Sequence, residues 1–323
     1  MNIVVFTLLA LSTKLFLGVT AGVYFAFLMV MVLSASLAAG LCQNGVFAYV
    51  ASFGREEYTQ GIMTGQGIAG VLPCIAQIVS VLSVPPRKEH VDGTPQQSST
   101  SAFAYFLTAT IISAFALVAF IYLQRQHSSR VRLDEVDAAP TERKSIPLTR
   151  LFRKLTWIAS AVFLTFVITM FFPVFTQRIL SVRDPDSAPR LFKPATFIPL
   201  GFLFWNVGDL LGRVGPAIPA IRLTAHPKIL FLLSVARVVF IPLYLMCNVG
   251  GKGAAVSSDF FYLVIVQLLF GVTNGYLGSS CMMGFVEWVD DEEAEAAGGF
   301  MSLCLVGGLT VGSFMSFFAA QAI

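Results

Sequence analysis

The chain has 323 residues, of which 56% are hydrophobic and 12% charged, with a formal net charge of +3. A soluble globular chain carries about 25% charged residues, so this composition excludes an ordinary soluble domain and reads as a polytopic membrane protein. The small net charge gives no ground for a nucleic-acid partner, and the lipid bilayer becomes the solvent to reason with.

About 20 consecutive apolar residues are needed to cross a bilayer core as a helix. Runs of that kind predict nine transmembrane helices, at 2–19, 21–53, 58–82, 101–123, 155–180, 194–214, 227–249, 259–285 and 295–321. The fold class is therefore all-α, a polytopic helical bundle. The first stretch starts at Met1 and shows neither a basic leader nor a small-residue cleavage site, so it reads as a helix and not a signal peptide. The second is long enough to be tilted. It carries Gln43 deep inside an apolar run, in "CQNGVFAYV". A glutamine gives and accepts hydrogen bonds at once, which suits a purine or pyrimidine edge. An interhelical hydrogen bond would use the same amide.

The third helix holds "YTQGIMTGQGIAG", residues 58–70. Helices in lipid gain no hydrophobic energy by meeting, so they associate through close contact that small residues permit. Gly61 and Gly65 have the spacing of such a packing face, and Gly67 and Gly70 add a second small patch. Gln66 and Gln77 read as bridges between helices. "GQGIAG" matches a dinucleotide fingerprint by letters only, because no strand precedes it.

A polar linker follows the fourth helix. Residues 123–154 contain eight Lys/Arg, and positively charged loops stay cytosolic. The linker divides the chain into a truncated N-terminal bundle of four helices (1–123), a cytosolic linker (124–154) and a C-terminal bundle of five (155–323). Two bundles joined this way form a major-facilitator-like architecture, as in many transporters. The same anchor puts the N-terminus in the cytosol and the C-terminus on the far side.

The second bundle contains the few ionisable groups inside apolar runs, which are functional candidates by default. Asp209 and Arg213 lie four apart in "FLFWNVGDLLGRVGP", so they share a helix face, with Asn206 three residues earlier. Together they offer carboxylate acceptors, guanidinium donors and an amide, apt for a neutral polyhydroxylated ligand such as a sugar. The plainer alternative is a helix-end pair with Arg213 snorkelling to the interface. Arg237, in "SVARVVFIPLYL", must find a partner or a wet cavity and reads as a structural or gating charge. Pro173, Pro199 and Pro242 should kink their helices.

The five cysteines lie in apolar segments without zinc-ligand spacing, and the three histidines lie in polar connections. No metal, no cofactor and no enzymatic motif is expected.

"YTQGIMTGQGIAG", "DLLGR" with Asn206, "ARVVFIPLYLMCN", "TNGYLGSSCM" and "EAEAAGGFMSLCLVGGLTVGSFMSF" occur in an order that resembles the equilibrative nucleoside transporters, from about Gly40 to the C-terminus. The resemblance implies eleven helices, six and then five around a cytosolic linker, of which this chain looks like the third to the eleventh. It implies alternating-access transport of nucleosides, or of nucleobases, without an energy source, in the plasma membrane or a vacuolar or lysosomal one. By position, Gln43 matches the glutamine that meets the base, Asp209 and Arg213 the pair that engages the ribose, and Asn206 a polar neighbour. The alternatives are a major-facilitator-type small-solute transporter, which would place six helices after the linker, and a truncated membrane protein that transports nothing.

Overall fold

The computed structural model describes residues 1–15, 18–53, 55–83, 99–134, 146–184 and 187–322. Among these, eight helical stretches are long and apolar enough to cross a membrane. The first two of these are α2 (Ala21–Ala51) and α3 (Glu56–Ser83), preceded by a shorter helix, α1 (Asn2–Leu15), and followed by α4 (Ser99–Asp134). Four further stretches follow. They are α5 (Leu148–Thr169) continued by α6 (Phe171–Thr176), α7 (Pro194–Val214), α8 (Pro227–Ala236) continued by α9 (Phe240–Leu245), and a π-helical segment (Phe261–Leu268) continued by α10 (Leu269–Gly284). The last crossing stretch contains α11 (Ala294–Ala322). The polytopic helical fold is as expected, with one correction to the count. The first predicted span, 2–19, is the 14-residue α1 among the described residues, which rises only about 21 Å at 1.5 Å per residue.

The predicted linker is also shorter than its polar composition suggests. α4 runs on to Asp134 and α5 starts at Leu148, so both ends of 124–154 are helical, and 135–145 lies outside the described residues. Contacts group the chain into two units, Met1–Gln43 with Val91–Ser145, and Asn44–His90 with Ile146–Ile323. In the first unit α1 packs along α4, with Lys14 over the Phe103 ring. All that follows concerns the second unit.

Its tightest joint is between α7 and α10. Gly208 and Gly212 on α7 face Gly271 and Gly275 on α10, each pair four residues apart. A Cβ on any of the four would be driven into a backbone oxygen of the facing helix: Leu268 and Val272 for the α7 pair, Trp205 and Asp209 for the α10 pair. This is the small-residue packing that lipid favours. α11 meets α5 the same way, Gly308 on the Phe163 carbonyl and Gly312 on that of Val167.

The glycine-rich segment of α3 needs a correction. A Cβ at Gly61 or Gly65 meets no described atom within 4 Å, whereas one at Gly67 would come 2.9 Å from Leu210 Cδ1. At Gly70 it would strike the Asn206 side chain. The packing face toward α7 is therefore Gly67 and Gly70. A four-residue spacing marks a smooth helix face without saying which face meets a neighbour.

Two of the three prolines interrupt their helices. Proline removes an N–H and its ring clashes with the carbonyl four residues earlier. Pro173 lies four beyond Thr169, where α5 ends, and Pro242 lies four beyond Val238, where α8 tightens into a 3₁₀ turn at Arg237–Val239. α7 runs unbroken through Pro199. Aliphatic and sulfur side chains of α5, α10 and α11 fill the core at the linker end, among them Leu155, Met282 and Met301. Aromatic rings fill the other end: Phe172 stacks on Trp205 at 4.2 Å and Phe175 on Tyr244 at 5.1 Å.

Gly275→Ala should therefore cost about 1–3 kcal/mol, the usual range for overpacking, and lower the melting temperature of the detergent-purified chain. Gly65→Ala should leave that temperature within a degree or so of wild type, because open space surrounds it. Equal melting temperatures for Gly275→Ala and wild type would contradict the seam.

Candidate functional site

The α7–α10 seam brings the predicted pair into a buried polar chain. Arg213 donates from Nε to Asp209 Oδ2 at 2.6 Å, along one face of α7. Its Nη1 donates to the Met63 carbonyl at 3.1 Å and to Gln66 Oε1 at 3.0 Å, both on α3. The pair is 4% and 7% exposed, so Arg213 does not snorkel to an interface. Gln66 bridges helices as expected, while Gln77 is exposed.

From Asp209 the chain crosses to α10. Asn274 Nδ2 donates to Asp209 Oδ1 at 2.6 Å. The Asn274 oxygen in turn faces the Thr169 hydroxyl at the end of α5. Thr169 accepts from Arg237 Nη2 at 3.2 Å. Arg237 also donates to the Thr165 carbonyl at 2.6 Å and to Thr273 Oγ1 at 3.2 Å, and its guanidinium lies 4.6 Å from the Phe270 ring centroid. Arg237 is 2% exposed. The partner demanded by its burial is thus a carbonyl, two hydroxyls and a ring face, not a carboxylate.

Asp209 is the one acid in this chain of groups and serves two guanidiniums, Arg213 directly and Arg237 through Asn274 and Thr169. Arginine stays protonated in proteins, so the cluster holds one positive charge in excess. Arg213 Nη2 makes no hydrogen bond to a described residue. The carboxylate oxygens keep lone pairs beyond those already used.

Asn206 stands apart from this chain. Its amide donates to the Phe202 carbonyl at 2.8 Å and to Cys74 Sγ at 3.6 Å, and its oxygen faces Gly70. Gln43 is half-buried and is the last residue of the first unit, while Asp209 and Arg213 belong to the second. Asn274, Thr165 and Thr169 carry no role in the sequence reading. Asn274 could have been found: it is an amide next to Gly275 in an otherwise apolar stretch, "FGVTNGYLG". The two threonines give no such signal.

A second buried network locks the opposite end. Gln267 donates to Thr176 Oγ1 at 2.8 Å and to the Tyr262 hydroxyl at 2.6 Å, and accepts from the Tyr244 hydroxyl at 2.9 Å. At the linker end the acidic 286–296 loop meets basic residues. Glu293 binds Lys154 at 2.6 Å and Arg150 at 2.7 Å. Asp290 takes Lys154 at 2.8 Å, and that hydrogen bond holds its carboxyl below the usual carboxylate range. Arg222 joins Glu56 to Glu287.

Eight apolar crossing stretches and helices packed through glycine around a buried ion pair define a multi-pass membrane protein. The family model described as "Nucleoside transporter" matches residues 27–134 and 125–321, and the chain belongs to that family. The nucleoside transporter FUN26 of Saccharomyces cerevisiae is 29% identical over 98% of this chain and 68% of its own length. Equilibrative nucleoside transporter 1 of Mus musculus is 27% identical over 91% of this chain and 69% of its own length. The Rattus norvegicus protein of the same name is 30% identical, over 81% and 62%. These matches replace the major-facilitator alternative.

Asn274→Leu should leave Asp209 with one partner fewer, while the Thr169 hydroxyl keeps the Thr165 carbonyl as acceptor at 2.7 Å. Losing one partner of a buried hydrogen bond costs about 1–3 kcal/mol, so the variant should melt lower than wild type. Asn274→Asp should melt lower still, because a second carboxylate would sit against Asp209. A melting temperature above wild type for Asn274→Asp would overturn the assignment of Asp209 as the acceptor of the Asn274 amide.

Proposed function

We propose that the chain carries nucleosides, and in some conditions nucleobases, across a membrane by facilitated alternating access. The observation that carries this reading is the buried Asp209–Arg213 pair, with unused donors on Arg213 and unused lone pairs on Asp209, in a member of the nucleoside transporter family. Asp209 and Arg213 grip the ribose hydroxyls. Gln43 reads the base edge, and Asn206 shapes the neighbouring wall where α7 meets α3. Arg237 is tied to Asp209 through Thr169 and Asn274. Both carboxylate oxygens already accept hydrogen bonds, from Arg213 and Asn274, which supports facilitated diffusion over proton coupling.

In this reading the halves that alternate are 1–123 and 155–323, with 124–154 between them on the cytosolic side. The membrane is the plasma membrane or that of a vacuole or lysosome.

Uptake of radiolabelled adenosine and uridine by transporter-deficient cells expressing the full chain tests the proposal. Uptake above the empty-vector control is expected, and a correctly inserted chain that shows none would establish a non-transporting protein. Asp209→Ala should abolish uptake. Arg213→Lys should also fail, since a point charge does not replace a planar fork. Gln43→Ala should weaken nucleoside binding by about 1–3 kcal/mol while keeping discrimination between ribose and 2′-deoxyribose. Normal uptake by both second-half variants would overturn the ribose assignment.

A further inference from the structure

We propose that the linker end of the second unit holds a binding site for one anionic phospholipid, apart from the Asp209–Arg213 network. A cavity of about 430 Å³ opens there between the second and third turns of α5, the start of α8 and Trp288. That volume falls within the range of about 300–1,000 Å³ typical of small-molecule pockets. Its floor is apolar, with Ile158 at its base, and its rim carries Trp157, Trp288, His226 and Lys228.

The level of the cavity in the bundle identifies its surroundings. α8 begins at Pro227, and Trp288 closes the span Phe261–Trp288. The site therefore lies where helices leave the bilayer, the depth at which tryptophan anchors membrane proteins. The chain has three tryptophans, and two of them line this one cavity, exposed by 47% and 43%. The third, Trp205, is buried against Phe172.

The charge of the cavity selects the occupant. Lys154 is already held by Asp290 and Glu293. Lys228 has no carboxylate within 4 Å among the described residues, and its ammonium lies 5.9 Å from the Trp157 ring centroid. No acidic side chain lines the cavity. The first turn of α8 adds the positive end of a helix, and the His226 side chain does not cap it. A cationic mouth over an apolar floor fits a molecule that is anionic at one end and hydrocarbon at the other. Basic pockets between membrane helices bind anionic lipid head groups in this way. A free phosphate would leave the floor unfilled, and a zwitterionic lipid would bring its own cation against Lys228.

The test uses the full chain in phosphatidylcholine vesicles containing increasing fractions of phosphatidylglycerol with dibrominated acyl chains. Bromine quenches indole fluorescence on contact, so the two rim tryptophans report occupancy. We expect saturable quenching at a low mole fraction of the anionic lipid, and saturation by brominated phosphatidylcholine only near full replacement. Lys228→Glu should raise the half-saturating fraction by about fivefold or more, the scale for one basic side chain beside an anionic surface. Lys228→Arg should leave it unchanged. If Lys228→Glu lowers the yield of monodisperse protein, Lys228→Ala should show the same direction of shift. Equal half-saturation by the two lipids, or none of the expected shift in the Lys228 variants, would overturn the proposal. Reversal of the quenching by soluble glycerol 3-phosphate would do so as well, by assigning the site to a free phosphate.

Discussion

The backbone of α7 touches the backbone of α10 along two glycine pairs, and the polar centre of the second unit depends on that contact. Asn274 reaches Asp209 at 2.6 Å because Gly271 and Gly275 let the helix axes come together on either side of it. Any side chain in the seam would push the carboxylate away from the amide. The charge network is then downstream of van der Waals contact. In lipid this ordering is natural, since the solvent offers helices no hydrophobic reason to pack and only close fit remains.

The prolines act on the same centre from the other side. Pro173 ends α5 beside Thr169, and Pro242 tightens the turn that carries Arg237. A regular helix would hold Thr165 and Thr169 in an uninterrupted ladder. The Thr165 carbonyl, near the end of that ladder, and the Thr169 hydroxyl become partners for a guanidinium with no carboxylate of its own. Removing one member of such a network leaves a buried polar group unsatisfied, which costs more than the bond itself contributes. Asn274, Thr169 and Arg237 are therefore tied to Asp209 although all four lie on different helical segments.

Much of this was legible in the sequence, and the limits have physical causes. Apolar runs set the crossing helices, because length and composition decide what lipid accepts. The 3.6-residue period placed Arg213 over Asp209 without any tertiary knowledge. The same period could not separate Gly61 and Gly65 from Gly67 and Gly70, since a helix face is local and its partner is not. Thr165 and Thr169 were invisible for a related reason. A threonine in an apolar helix ordinarily bonds its own backbone, and only the arrival of Arg237 from another helix gives it a further role. The end of α4 was misplaced because charged residues that cannot cross a bilayer still make good helix beyond it.

The excess positive charge of the buried cluster has an electrical consequence. Arg237 and Arg213 outnumber Asp209 in surroundings of low dielectric, where Coulomb forces reach further than in water. Such a field leaves a neutral molecule nearly unaffected and repels a sodium or hydronium ion. Fixed positive groups in a pore exclude protons and cations on the same ground. The guanidinium that binds the carboxylate thus also makes the centre of the second unit repel cations.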